Sequence, residues 1–273
     1  MKKSRDSRKI MSNLNSVNKT LYIPLYGKSF VSKKGIILSD SKAEEIWDKE
    51  KFELSGKSKS KWLAYEMAMR ARVFDDWVRE KASADEKAII LHLGCGLDSR
   101  VHRVNCSNKW FDLDFPSVIE VRKKYFVETK GYKMIDSDIT QFDWLYEIPR
   151  GKNAIVVMEG LSMYLPNSKL VWLLHMLSEH FEKVDLLMDV YTPMAAKLTK
   201  WKNPINEVGV SEVYGVENAQ TLECYGFKFI GEHSMNPPSL IAELDKSEQG
   251  IFKTVFAGDF AKKIQRVYEY QKI

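Results

Sequence analysis

No stretch of this 273-residue chain approaches the roughly twenty consecutive apolar residues of a membrane span, and no apolar core follows the basic start Met1–Lys9 as in a secretory leader. Cysteine is scarce. Cys95, Cys106 and Cys224 are odd in number and far apart, which excludes a disulfide framework and a cysteine metal site and points to a reducing, cytoplasmic setting. Charge of one sign is also in short supply: the net +5 is spread thinly, without the basic stripe of a nucleic-acid binder. The remaining composition, 44% apolar and 29% charged, is that of an ordinary globular protein with a substantial core.

The most informative stretch is Ala88–Arg100, AIILHLGCGLDSR. Ile89–Leu93 is a short apolar run of the kind that a parallel sheet buries on both faces, and it ends at Gly94 and Gly96. Those glycines permit a tight turn and a close approach to a ligand, with an anionic group favoured if a helix opens at Leu97. Cys95 between them reads as a small tolerated residue rather than a reactive thiol. A second strand, Lys109–Asp114, stops before Phe115-Pro116. Asp114 lies 114 − 96 = 18 residues past Gly96, close to the spacing at which a carboxylate meets a ribose in nucleotide-binding βαβ units.

Strand and helix patterns then alternate: Tyr132–Ser137, Asn153–Met158 and Val184–Val190 as strands, with Ser117–Thr129 and Pro166–Lys183 as helices. With Phe227–Glu232 and Gln265–Tyr270 this makes a doubly wound, mainly parallel, seven-stranded Rossmann-like α/β sheet. Gly94, Gly96, Asp114, Asp138 and Glu159 all fall at strand ends, where such sheets bind ligands. Residues 1–85 form an N-terminal helical cap and 86–273 the ligand-binding domain, with a lid-like excursion at 192–216. Within the cap, Ser39–Glu53 reads as a helix capped by Asp40 or Ser41, and Lys61–Ala82 as a long one. Pro24 and Gly27 argue against a continuous helix through Thr20–Lys28. Arg72, beside Asp75 and Asp76, reads from spacing alone as part of a solvated face.

Ser99 stands where a dinucleotide fingerprint places its third glycine, which favours S-adenosylmethionine, a ligand without a pyrophosphate. LHLGCGLDSR, WFDLDFP, SDIT and MEGLSMYLP, in that order, resemble the leucine carboxyl methyltransferase superfamily of class I S-adenosylmethionine-dependent methyltransferases. TLYIPLYGKS and SDSKAEEIWD resemble its bacterial polyketide-biosynthesis O-methyltransferase branch. The resemblance spans about residues 18–190. It implies that Arg72, with Lys28, holds the methionine carboxylate, that Gly94, Cys95 and Gly96 pass under the methionine part, and that Asp114 holds the ribose hydroxyls. It further implies that Asp138 and the Ile139 backbone meet the adenine, that Glu159 lines the pocket near the amino group, and that Tyr164 occupies a position with a possible catalytic role.

Such an enzyme would transfer a methyl group to a carboxylate or hydroxyl of a small, polyketide-like molecule and release S-adenosylhomocysteine, with no metal. A protein C-terminal carboxylate, or a non-catalytic cofactor-binding role, are the alternatives. Among the histidines, His92 reads as a core residue; His102, His175 and His180 lie on helices, and His233 follows a strand. The lack of an evident histidine base favours a carboxylate acceptor, which needs none at neutral pH.

Overall fold

The apolar runs become the strands of a single seven-stranded sheet of order β3-β2-β1-β4-β5-β7-β6. The computed structural model describes residues 21–54, 56–198 and 213–273. Strands β1 (Ile89–Leu93), β2 (Trp110–Asp114), β3 (Tyr132–Asp136), β4 (Ala154–Met158) and β5 (Val184–Tyr191) pair in parallel, and β7 (Gln265–Lys272) runs antiparallel between β5 and β6 (Phe227–His233). Every residue of β1, β4 and β5 is buried, as expected of strands covered on both faces. Strand β6 alternates between exposed and less exposed positions, only Phe227 being buried, as an edge strand does.

Alternate side chains of β1 enter two cores. Ile89, Leu91 and Leu93 pack with Leu170, Leu173, Leu174 and Leu177 of the helix Asn167–His180; Ile90 packs with Phe74, Trp77 and Val78 of the helix Lys61–Ala84. Because β2 and β3 lie on one side of β1 and β4 on the other, the chain reverses its direction of travel between β1 and β4. A crevice opens above the carboxyl ends of the strands at that reversal.

The chain before β1 forms helices α1 (Tyr22–Lys34), α2 (Ser41–Glu50) and α3 (Lys61–Ala84). Asp40, not Ser41, caps α2, its carboxylate accepting from the Ala43 amide at 2.8 Å. Helix α1 runs through Pro24 and Gly27, contrary to the expectation of a break. Pro24 sits in the first turn, where its missing N–H has no intrahelical partner to lose. Gly27 is the contact point with α3: a Cβ there would stand 3.0 Å from the Ala64 carbonyl and from Met67 Cβ. Gly27→Val should therefore force the two helices apart and cost about 1–3 kcal/mol, read as a lower urea midpoint at unchanged slope.

Two segments are shorter than their patterns suggest. The helix after β2 covers only Pro116–Arg122 and that after β1 only Arg100–Val104. The segment between β6 and β7 carries short helices, among them Lys246–Val255. Its Leu240, Ile241, Leu244 and Phe252 pack with Val31, Tyr65, Ala68 and Met69 of α1 and α3, so both ends of the chain contribute to one apolar layer beside the sheet. Of the excursion at 192–216, residues 199–212 lie outside the described residues, as do Met1–Lys9. Its described flanks dock beside β5, through Tyr214 N–H to the Met163 carbonyl and Val216 N–H to that of Tyr191, both at 2.8 Å.

Candidate active site

A cavity of about 190 Å³ occupies the crevice, floored by the strand ends and roofed by α1 and α3. The turn after β1 forms its floor. Gly94 and Gly96 take left-handed conformations, with φ +68° and +53°, and a Cβ on Gly94 would approach the Leu161 side chain to 3.0 Å. The expected anion site on free amides is not there. The Gly94 and Cys95 amides donate to the Leu113 carbonyl, that of Gly96 donates to Asp114, and helix begins only at Arg100. Burial pushes the Cys95 thiol well up, so it lines the cavity as an inert small residue.

Asp114, at the end of β2, accepts at 2.7 Å from the Gly96 amide through one oxygen and from the Phe115 amide through the other. Burial raises its pKa to about 6 despite those donors. Each oxygen retains a lone pair for a ligand hydroxyl.

The opposite end is a buried charge network. Arg70 of α3 donates through Nε to Glu159 at 3.0 Å and through Nη1 to Asp189 at 2.9 Å. Glu159 also accepts from Arg100, whose Nε reaches Asp75 at 2.8 Å and whose Nη1 lies 3.0 Å from His92 Nε2. Burial works against ionisation of Glu159, but Arg100 and Arg70 hold its pKa at about 2. Since a guanidinium only donates, His92 accepts at Nε2 and carries its proton on Nδ1, 3.4 Å from Asp112. Burial lowers its pKa further, so His92 is a neutral core residue, as its place in the strand suggests. Lys28, almost wholly buried on α1, pairs with Asp98 at 3.3 Å.

Lys28, Gly94, Cys95, Gly96, Asp114, Glu159 and Tyr164 thus share one cavity. Arg72 does not. It lies two residues from Arg70, about 200° around the helix, and its side chain pairs with Asp76 at 2.9 Å on a partly exposed face while donating to the Ile37 carbonyl. The cavity arginine is Arg70. Leu63, Met67, Arg70 and Phe74 form one stripe at helical spacing, and an arginine in such a stripe is carried inward with it. Asp138 and Ile139 also fall outside the lining. Asp138 accepts from the Thr140 amide at 2.8 Å, and Ile139 is packed in the core, its carbonyl accepting from Trp144 Nε1. His233 pairs with Glu269 at 2.7 Å and does not line the cavity. Asp98, which lies within LHLGCGLDSR but is given no role there, also lines it, as do Tyr191 and Gln265, which lie in no quoted motif.

A carboxylate with free lone pairs at one end, cations and an acid at the other, and apolar walls between suit a ligand with ribose hydroxyls and a zwitterionic amino-acid tail. The fold and this site define a class I methyltransferase. Comparison with known proteins agrees: residues 11–178 match the family model described as leucine carboxyl methyltransferase, and the chain belongs to that family. It is an S-adenosylmethionine-dependent methyltransferase. The chain is 29% identical over 243 residues to the tetracenomycin polyketide synthesis O-methyltransferase TcmP of Streptomyces glaucescens, covering 87% of this chain and 90% of that protein. It is 33% identical over 135 residues to the S-adenosyl-L-methionine-dependent methyltransferase dpfgK of Gibberella zeae, covering 46% and 45%. In fold it resembles a DUF574-family protein from Streptomyces avermitilis, with TM-score 0.59 and 10% identity over 92% of this chain and 97% of the other. A putative methyltransferase from Thermobifida fusca gives 0.55 and 12%, over 77% and 82%.

Proposed function

We propose that this enzyme is an O-methyltransferase of a small, largely apolar, polyketide-like molecule. The observation that carries the reading is the similarity to the tetracenomycin O-methyltransferase over 90% of that protein, together with a roof of Leu21, Ile23, Leu25, Leu63 and Met67 over the cavity. Bound S-adenosylmethionine supplies an electrophilic methyl group on a sulfonium. Arg70 and Lys28 bind its carboxylate, Glu159 accepts from its ammonium, and Asp114 accepts from both ribose hydroxyls. The adenine extends past Phe115 towards Asp138 and Ile139. Tyr164, which lines the cavity with Met163, contacts the acceptor.

These residues bind and orient. Holding an acceptor oxygen in line with the methyl group contributes up to about 7–11 kcal/mol of the required acceleration. The family description favours a second reading, methylation of a protein's C-terminal carboxylate.

Incubation of the purified protein with methyl-deuterated S-adenosylmethionine and a panel of aromatic phenols and carboxylic acids tests the two. A mass gain of one deuterated methyl on a small acceptor is expected. Label found only on protein C-termini in a lysate, with every small acceptor unlabelled, would overturn the first reading in favour of the second.

A further inference from the structure

The methyl donor accounts for only part of the cavity. Asp114 on β2 marks its ribose end and Glu159, just past β4, its amino-acid end, a span of two strand spacings or about 10 Å. Two further lining residues lie beyond that span in the sheet: Tyr191 at the end of β5 and Gln265 at the start of β7. They are direct partners in the antiparallel β5–β7 ladder, so their side chains stand side by side on one face of the sheet. That face is the one under α3, because Asp189, two residues before Tyr191, is reached by Arg70 of α3 at 2.9 Å. The walls around the pair are apolar, with Leu63 and Met67 of α3 above and Met163 against Tyr191.

Both polar side chains have hydrogen-bonding capacity left over. Gln265 meets the same Asp189 oxygen that accepts from the Arg70 guanidinium, so that oxygen is an acceptor and the amide faces it through nitrogen. The Gln265 carbonyl oxygen and the Tyr191 hydroxyl make no hydrogen bond to a described residue. Neither oxygen is sealed inside the protein, and both residues front the cavity. Burial pushes the Tyr191 phenol well up, so it keeps its proton and donates throughout the neutral range. A donor and an acceptor therefore stand next to each other in an apolar wall, the arrangement that fixes a ligand's orientation.

We infer that Tyr191 and Gln265 select the methyl acceptor, which carries a hydroxyl beside a carboxyl or carbonyl group: Tyr191 donates to the carboxyl or carbonyl oxygen and Gln265 accepts from the hydroxyl. This rests on the reading of the enzyme as a small-molecule O-methyltransferase and narrows its substrate class. A carboxylate held on Tyr191 by one oxygen keeps the other free to face the donor, so the selection is compatible with carboxyl transfer and adds to it a demand for a neighbouring hydroxyl. An acceptor with one group alone leaves its counterpart on the protein desolvated and unpaired, and a site built to hydrogen-bond a polar group rejects an analogue that lacks it.

The test compares 1-hydroxy-2-naphthoic acid, which carries both groups, with 1-naphthoic acid and 1-naphthol, which carry one each. Affinities are measured by calorimetry on the S-adenosylhomocysteine complex. The wild type is expected to bind the first at least about tenfold more tightly than either of the others. Tyr191→Phe, which keeps the ring packed with Met163 and Ala195, should erase the preference over 1-naphthol and spare that over 1-naphthoic acid. Gln265→Met should do the reverse, and both variants should bind S-adenosylhomocysteine as the wild type does. A merely structural role would weaken all three probes together and leave the preferences in place. Equal affinities in the wild type, preferences that survive both substitutions, or no binding of 1-hydroxy-2-naphthoic acid would overturn the inference. Failure to bind S-adenosylhomocysteine, or methyl transfer to protein C-termini alone, would strike instead at the proposed function.

Discussion

Asp114→Ala is expected to lower the affinity for S-adenosylmethionine and S-adenosylhomocysteine by about 100-fold, the loss of two charge-assisted hydrogen bonds, measured by isothermal titration calorimetry. Asp114→Asn should fare little better. Both Asp114 oxygens accept backbone N–H groups, from Gly96 and Phe115, so an amide nitrogen on either side meets a donor and disturbs the floor. The carboxyl must be ionised to accept from two hydroxyls, and its pKa in the free protein is raised by burial to about 6. Affinity should therefore climb about tenfold per pH unit up to pH 6 and level off above it; in Asp114→Ala this slope should vanish. Stability runs the other way. A carboxyl whose folded pKa lies above its unfolded value contributes stability at low pH that is lost as pH rises through about 6, so the ligand-free fold gives up some stability at neutral pH to keep this acceptor. Unchanged affinity in Asp114→Ala would remove the ribose from this end of the cavity.

The strands and their order of use were legible because each is a compact apolar run closed by glycine, proline or acidic residues, and burial on both faces leaves such runs little else to become. Helix α1 was not. The rule that proline and glycine break helices takes no account of Pro24 lying within the first turn, or of Gly27 being selected by contact with α3, a partner about 40 residues away in the chain. The site divided along the same line. Gly94, Asp114 and Glu159 sit at strand ends, where local pattern fixes position. Arg70 is placed by the rotation of a helix, and the family resemblance drew attention to Arg72 although the apolar stripe through Leu63, Met67 and Phe74 points at Arg70. The charge clusters could not be read from the chain. Arg103 alone joins Asp40, Asp75 and Asp98, pairings that arise only when α2, α3 and the turn after β1 meet.

Arg70 and Arg72 make a controlled pair, since they share a helix and a charge but face opposite ways. Arg70→Ala strands Asp189 and weakens the compensation of Glu159, both buried, and breaking a buried ion pair from one side costs about 3–5 kcal/mol. Arg72→Ala removes a partly exposed i,i+4 pair with Asp76 and one bond to the Ile37 carbonyl, a loss of about 1 kcal/mol or less. Chemical denaturation should separate them clearly. Because Arg70→Ala gives up so much stability, Arg70→Lys carries the functional half of the comparison. It retains the charge against Glu159 and Asp189 yet forfeits the fork that could bind two carboxylates while presenting a further N–H to a ligand. Folded Arg70→Lys is expected to bind S-adenosylhomocysteine at least about tenfold more weakly, whereas Arg72→Ala should bind it as the wild type does. The reverse pattern, with Arg72→Ala weak and Arg70→Lys intact, would return the methionine carboxylate to the outer face of α3. It would require α3 to turn by about half a revolution when the ligand binds, and the apolar stripe of that helix opposes such a turn because it would carry Phe74, Trp77 and Val78 out of the core.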